Sequence, residues 1–169
     1  DLATMSVERV VSTGADSNLS QSIAFPPDGS RAFLPQTRSN STNPALLFDT
    51  TVFPIVAVVD PASLENLPKE RLSIDVVDRP SNMPFDAVVT SSGKIYVAYA
   101  GSDDLSVIDV AARKKIAHLQ LGSNPRGLAL SPDERFVYAN NALSGSVSVI
   151  DTATDSVSAT IEVTTIPLR

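Results

Sequence analysis

A unit of about 42 residues recurs along this chain, and no other feature restricts the possible folds as tightly. One copy runs from Asn82-Met83-Pro84 through Val107-Ile108-Asp109 to Leu121-Gly122. A second runs from Asn124-Pro125-Arg126 through Val149-Ile150-Asp151 to Val163. Tyr96 and Tyr138 stand 42 residues apart, and so do Asp109 and Asp151. A third copy lies upstream: Asn18 to Gly29 aligns with Asn82 to Gly93 without a gap, and Val58-Val59-Asp60 is its counterpart of Val107-Ile108-Asp109. A chain built this way folds as an array of like units, each unable to bury its apolar face alone.

Each copy reads as four short strands. In the last, Gly127 to Leu130 is a first strand and Ser131-Pro132-Asp133-Glu134 a turn. Phe136-Val137-Tyr138 is a second strand and Asn140 to Gly145 a loop. Val147 to Ile150 is a third, Asp151 to Asp155 a turn, and Val157 to Val163 a fourth. β-Branched residues at period two, bounded by Asp, Asn, Ser, Pro and Gly, are strand and turn signals. Ala111 to Lys115 has helical propensity, but the repeat places it in the turn between third and fourth strands. No convincing amphipathic helix is found. Four antiparallel strands in about 42 residues match a propeller blade. Asp28, Asp109, Asp133 and Asp151 sit where a short carboxylate accepts backbone N–H groups in a turn, so they are read as structural.

Composition removes many activities. Thirteen Lys and Arg stand against nineteen Asp and Glu, giving a net charge of −6 and an isoelectric point near 4.6. That balance argues against nucleic-acid binding and against adsorption to an anionic membrane. No apolar run approaches the ~20 residues of a spanning helix. There is no cysteine, so this chain carries no disulfide, no thiolate metal site and no covalently attached c-type haem. Its one histidine, His118, falls on the polar side of an outer strand, away from the central channel where a catalytic residue would be expected. The pair Asp103-Asp104 reads as a solvated loop. No catalytic or metal-binding residue is assigned, and no cofactor is expected on this chain.

The departures from the repeat carry the candidate binding residues. The first copy holds an insertion between its second and third strands, within Pro35 to Pro54, rich in Ser, Thr, Asn and Pro and with the apolar run Ala45 to Phe48. Long loops on a rigid scaffold often carry function. Arg38, Asn40 and Phe48 in this insertion are candidates. Arg126, beside Pro125 at the channel side of an inter-blade turn, is the fourth. A second extension, Ser63 to Lys69, reads as a longer turn on the opposite face. Asn40-Ser41-Thr42 also fits a glycosylation sequon.

The phrases Asn124-Pro125-Arg126-Gly127-Leu128-Ala129-Leu130-Ser131-Pro132-Asp133, Phe136-Val137-Tyr138-Ala139-Asn140 and Ser146-Val147-Ser148-Val149-Ile150-Asp151-Thr152-Ala153-Thr154 resemble a YVTN-family β-propeller repeat. The resemblance covers residues 18–163 and weakens in the first copy, where Phe33-Leu34-Pro35-Gln36 replaces the Tyr-Val motif. It implies an all-β propeller of four-stranded antiparallel blades: about three blades plus one strand, belonging to a larger ring of about seven. The expected division is an outer strand of a preceding blade and its connection (1–17), blades at 18–79, 80–122 and 123–163, and an exit linker (164–169). The family includes lactonase-like enzymes, surface-layer proteins and propellers attached to haem proteins. Ile161 to Arg169 resembles the exit from such a propeller into a c-type dihaem peroxidase-like domain.

The resemblance thus implies an exported protein, periplasmic or extracellular, whose signal peptide is absent from this chain. It implies a non-catalytic scaffold or docking module in an electron-transfer context. The expected partner is other polypeptide that completes the propeller or docks on its loop face, a c-type cytochrome among the candidates. A lactonase-like hydrolase and a surface-layer or adhesive protein are the alternatives, and fold alone does not choose among them.

Overall fold

The computed structural model describes residues 3–39 and 52–163. The alternating β-branched segments form three antiparallel sheets, each a meander in chain order. The first contains β1 (Ser17–Asn18), β2 (Ala32–Ser39), β3 (Val52–Asp60) and β4 (Glu65–Asn66), with β5 (Leu72–Ser73) also paired to β3. The second is β6 (Pro84–Val89), β7 (Lys94–Tyr99), β8 (Asp104–Asp109) and β9 (Lys114–Gln120). The third is β10 (Pro125–Leu130), β11 (Phe136–Asn141), β12 (Ser146–Asp151) and β13 (Ser156–Glu162). These are the blades of a β-propeller, as the repeat requires.

Two apolar seams join the blades. Phe33, Val56, Val58 and Leu72 of the first pack against Val97, Tyr99 and Ile108 of the second. On the opposite face of the second, Tyr96, Leu105 and Val107 pack against Val137, Ala139 and Ile150 of the third. Successive side chains on a strand point to opposite faces, so each central blade supplies both seams from one alternating sequence.

Turn geometry repeats as closely as the strands do. Left-handed backbone recurs at Leu19, Met83 and Asn124 before each inner strand, and at Gly29, Gly93 and Glu134 between first and second strands. It recurs again at Leu64, Arg113 and Asp155 between third and fourth strands, where φ is 57°, 53° and 49°. The aspartates that end the third strands close these last turns: Asp60 accepts from Ala62 N, Asp109 from Ala112 N and Asp151 from Ala153 N, at 2.8, 2.7 and 2.8 Å. Backbone N–H groups donating to Asp60 and Asp28 hold both carboxyls below the usual carboxylate range; the Ser131 hydroxyl does so for Asp133.

Several expectations need revising. The insertion in the first blade is not loop throughout: β2 and β3 continue into it in register to Ser39↔Val52, with Pro35 opposite Val56 and Pro54 opposite Thr37. Ser63 to Lys69 does more than lengthen a turn; it divides the outer strand into β4 and β5. A four-residue helix, α1 (Ile74–Val77), follows and buries Ile74. Its one turn is too short to show a periodicity in sequence. Residues 6–13, expected as an outer strand, join no ladder among the described residues.

Candidate functional site

The face formed by the inter-blade connections and the second-to-third-strand loops holds a cleft of about 380 Å³. Phe53, Pro54, Pro80, Ser81, Asn82 and Ser102 line it. The extended β2–β3 hairpin supplies one wall and the connection into the second blade the other. Ser102 Oγ accepts from Asn82 N at 2.9 Å and donates to Asp104 at 2.8 Å. The Ser81 hydroxyl is buried and has no hydrogen-bond partner among the described residues. A buried hydroxyl left unpaired costs free energy that a ligand group could recover.

Arg38 stands at this end of the hairpin, opposite Phe53 in the ladder, with its guanidinium 5.4 Å from the Phe53 ring centre and 3.7 Å from Asp16. Asn40 and Phe48 lie outside the described residues. Arg126 sits at the bulge between Pro125 and Gly127 on the innermost strand of the third blade. Phe85 occupies the equivalent bulge of the second blade, between Pro84 and Asp86. The two meet: the Arg126 guanidinium is 5.1 Å from the Phe85 ring centre, and its Nε donates to Asn124 Oδ1 at 2.6 Å. The candidates therefore fall into two places, Arg38 by the hairpin cleft and Arg126 at the channel edge.

Sequence reading missed a buried charge cluster. Asp104 is not a solvated loop residue; it opens β8 and is buried. His118 faces the seam with the first blade; the residue is half-buried, with its side chain only 7% exposed. Its Nδ1 meets Asp78 and its Nε2 meets Asp104 at 3.1 Å. Each ring nitrogen thus faces one carboxylate. Lys115 reaches Asp78 at 2.9 Å, Ser106 donates to Asp78 at 2.6 Å, and Tyr99 donates to Ser106 at 3.0 Å. Burial pushes the Asp78 carboxyl up, but the bonds from Ser106, His118 and Lys115 outweigh it and hold the group below the usual range. The lone histidine and the acidic pair were the available signal; Asp78 in the connection was not.

Among the described residues, no serine or threonine hydroxyl is hydrogen-bonded to the imidazole. Both nitrogens of His118 are engaged, and Ser81 and Ser102 hydrogen-bond no imidazole. No group of three or more His, Cys, Asp or Glu able to hold a metal ion occurs among the described residues. No helix among them is long and apolar enough to cross a membrane.

These blades define a β-propeller. The chain belongs to the cytochrome D1 heme domain family, which it matches over residues 56–168, about two thirds of its length. A solved structure, Kuenenia stuttgartiensis hydrazine synthase, superposes with a TM-score of 0.66 at 24% identity over 90% of this chain, a likeness of fold. The chain spans 38% of that protein's length. No curated protein matches it.

The family name implies haem, and the described residues do not fit an iron site. Haem iron takes imidazole, thiolate, thioether or phenolate ligands. His118 is committed to two carboxylates, Tyr96 and Tyr99 are fully buried with their hydroxyls bonded, Tyr138 stands beside Phe136 on the blade face that repeats the Tyr96 seam, and cysteine is absent. Met5 and Met83 are exposed, on the N-terminal segment and on a connection.

Proposed function

We propose that this chain is a non-catalytic arc of blades in an exported, cytochrome-associated propeller. It presents its loop face as a docking surface and leaves haem ligation to residues elsewhere. The observation that carries the reading is the state of His118: the one imidazole of the chain is locked between Asp78 and Asp104 and serves a seam. Membership of a cytochrome D1 heme domain family supports the electron-transfer context and, through it, a periplasmic setting. The YVTN-like phrasing of the third blade supports the same assignment at a finer level.

The docking surface is the hairpin cleft with Arg38 and Phe53 at its rim. An apolar wall, a cation and an unpaired hydroxyl suit a protein side chain better than a reacting small molecule. The partner class is a c-type cytochrome carried on a neighbouring domain or chain. Calorimetric titration of the protein with a soluble c-type cytochrome tests this. Phe53→Ala and Arg38→Glu should each weaken binding at least tenfold while Ser158→Ala leaves it unchanged. Equal affinity for all variants, or no binding by the parent chain, would overturn the docking assignment.

A further inference from the structure

The two seams within this chain follow one pairing rule. Where the second blade carries Tyr96, the third presents Asp155 from the left-handed turn between its third and fourth strands. Tyr96 donates its hydroxyl to Asp155 Oδ1, and Lys94 donates to Oδ2 and, at 2.9 Å, to the carbonyl of Thr152. Where the first blade carries Phe33 at the matching position, the second presents Arg113 from the matching turn. Phe33 has no hydroxyl to satisfy, and Arg113 instead donates to the carbonyls of Lys69 and Arg71, each at 2.6 Å. The aromatic residue of one blade and the turn residue of the next vary together.

Among the described residues, the third blade has the same face with nothing packed upon it. Tyr138 repeats Tyr96, yet it is 37% exposed against 0%. Val149, 8% exposed, repeats Val107, and Ile161, 50% exposed, repeats Leu119. The strip is continuous in kind with the seam that Val137, Ala139 and Ile150 already cover on the second blade. A second copy of this chain is a poor occupant. The turn residue of its first blade is Leu64, which has no acceptor for the Tyr138 hydroxyl and no donor of its own.

We infer that the Tyr138 face takes a further four-stranded blade of the same polypeptide, whose left-handed turn between third and fourth strands carries an aspartate or glutamate that accepts the Tyr138 hydroxyl. This rests on the reading that these blades belong to a larger ring. Position 136 sharpens it. Phe136 stands where Lys94 stands one blade earlier, so the incoming carboxylate meets Tyr138 without the neighbouring ammonium. In sequence the proline that opens the inner strand recurs at Pro167, at the same distance from Pro125 as Tyr138 from Tyr96.

The test extends the full chain in register after Val163 with a duplicate of residues 122–163, so that a copy of Asp155 faces Tyr138. The readouts are urea denaturation and the solvent accessibility of the tyrosine ring to a small quencher in a Tyr96→Phe background. Packing should shield Tyr138 from the quencher. Tyr138→Phe and Asn in place of the added aspartate should each lower the folding equilibrium of the extended chain about tenfold, and together by no more than either alone. In the unextended chain Tyr138→Phe should change it less than twofold. Additive losses in the extended chain, or an arginine at the added turn serving as well as aspartate beside Tyr138, would overturn the rule. A parent-chain dimer that Tyr138→Phe leaves intact would assign the face to a second copy and overturn it too. A parent chain that already buries Tyr138 in a closed monomer would overturn the larger-ring reading itself, a result distinct from either.

Discussion

His118 hydrogen-bonds Asp78 through Nδ1, tying the outer strand of the second blade to the connection that arrives from the first. The Asp78 side chain is fully buried in a half-buried residue, and its partners Lys115 and Ser106 come from the same blade as His118. Removing one partner of a buried ion pair leaves the other uncompensated and costs roughly 3–5 kcal/mol. Asp78→Asn should therefore lower stability by about that much in urea denaturation at pH 7. His118→Ala should also destabilise, while docking of a cytochrome to the hairpin cleft stays unchanged.

Acid should act through the same carboxylate. The folded-state pKa of Asp78 lies below its ordinary value of 3.8. Its contribution is therefore present above about pH 4 and is lost as pH falls through the folded-state value. Stability should fall steeply below pH 4 in the parent protein. Asp78→Asn, already weaker, should show a flatter acid limb. Parallel acid limbs would assign the acid sensitivity to other carboxylates.

How far these seams could be foreseen differs from group to group. The blades, their strand order and the aspartate-closed turns were legible because Asp109 and Asp151, or Tyr96 and Tyr138, can be compared within one chain. The His118 cluster was not. It has no counterpart in the third blade, where Thr160 and Ser146 take the places of His118 and Asp104, and its third member comes from a connection outside the repeat. Burial of Asp104 was hidden for a related reason. The acidic pair straddles a strand start, and only Asp103 stays in the turn, where its carboxylate accepts from Asn124 N at 2.7 Å. Arg126 was placed at the channel edge by register alone, but its stacking on Phe85 follows from two bulges that strand periodicity does not announce.

Alkali should weaken the seam between second and third blades. Burial, and the hydrogen bond to Asp155, raise the Tyr96 pKa above its ordinary 10.0; burial does the same for Tyr99. A group whose folded-state pKa is raised lends stability that is complete below its unfolded value and declines as pH rises above it. Unfolding free energy should therefore drop above about pH 10, and Tyr96→Phe should reduce that slope. At neutral pH the same substitution should cost about 0.5–1.5 kcal/mol, the net worth of one hydrogen bond, since Lys94 still holds Asp155.

The apolar part of that seam should be the less forgiving. Leu105 is fully buried in the cluster with Val137, Ala139 and Ile150. Truncation of such a side chain removes transfer free energy and leaves a cavity, so Leu105→Ala should cost about 2–5 kcal/mol. The equivalent change on the uncovered third blade, Val147→Ala, should cost well under 1 kcal/mol, because partly exposed surface substitutions rarely do more. Equal losses by chemical denaturation would show that the third blade's outer face is covered in solution.

The hairpin of the first blade offers the last test. β2 and β3 pair in register up to Ser39↔Val52. A two-residue Asn-Gly turn in place of residues 40–51 can therefore close the ladder without shifting it, because such turns match the twist of paired strands. The shortened protein should keep its β-sheet circular dichroism and its thermal midpoint to within a few degrees, since the seams beneath Phe33, Val56 and Val58 are untouched. Cytochrome binding should weaken, because the candidates Asn40 and Phe48 go with the removed residues while Arg38 and Phe53 stay in place. Binding equal to that of the parent would make residues 40–51 a passive insertion and confine docking to Arg38, Phe53 and the serines of the cleft.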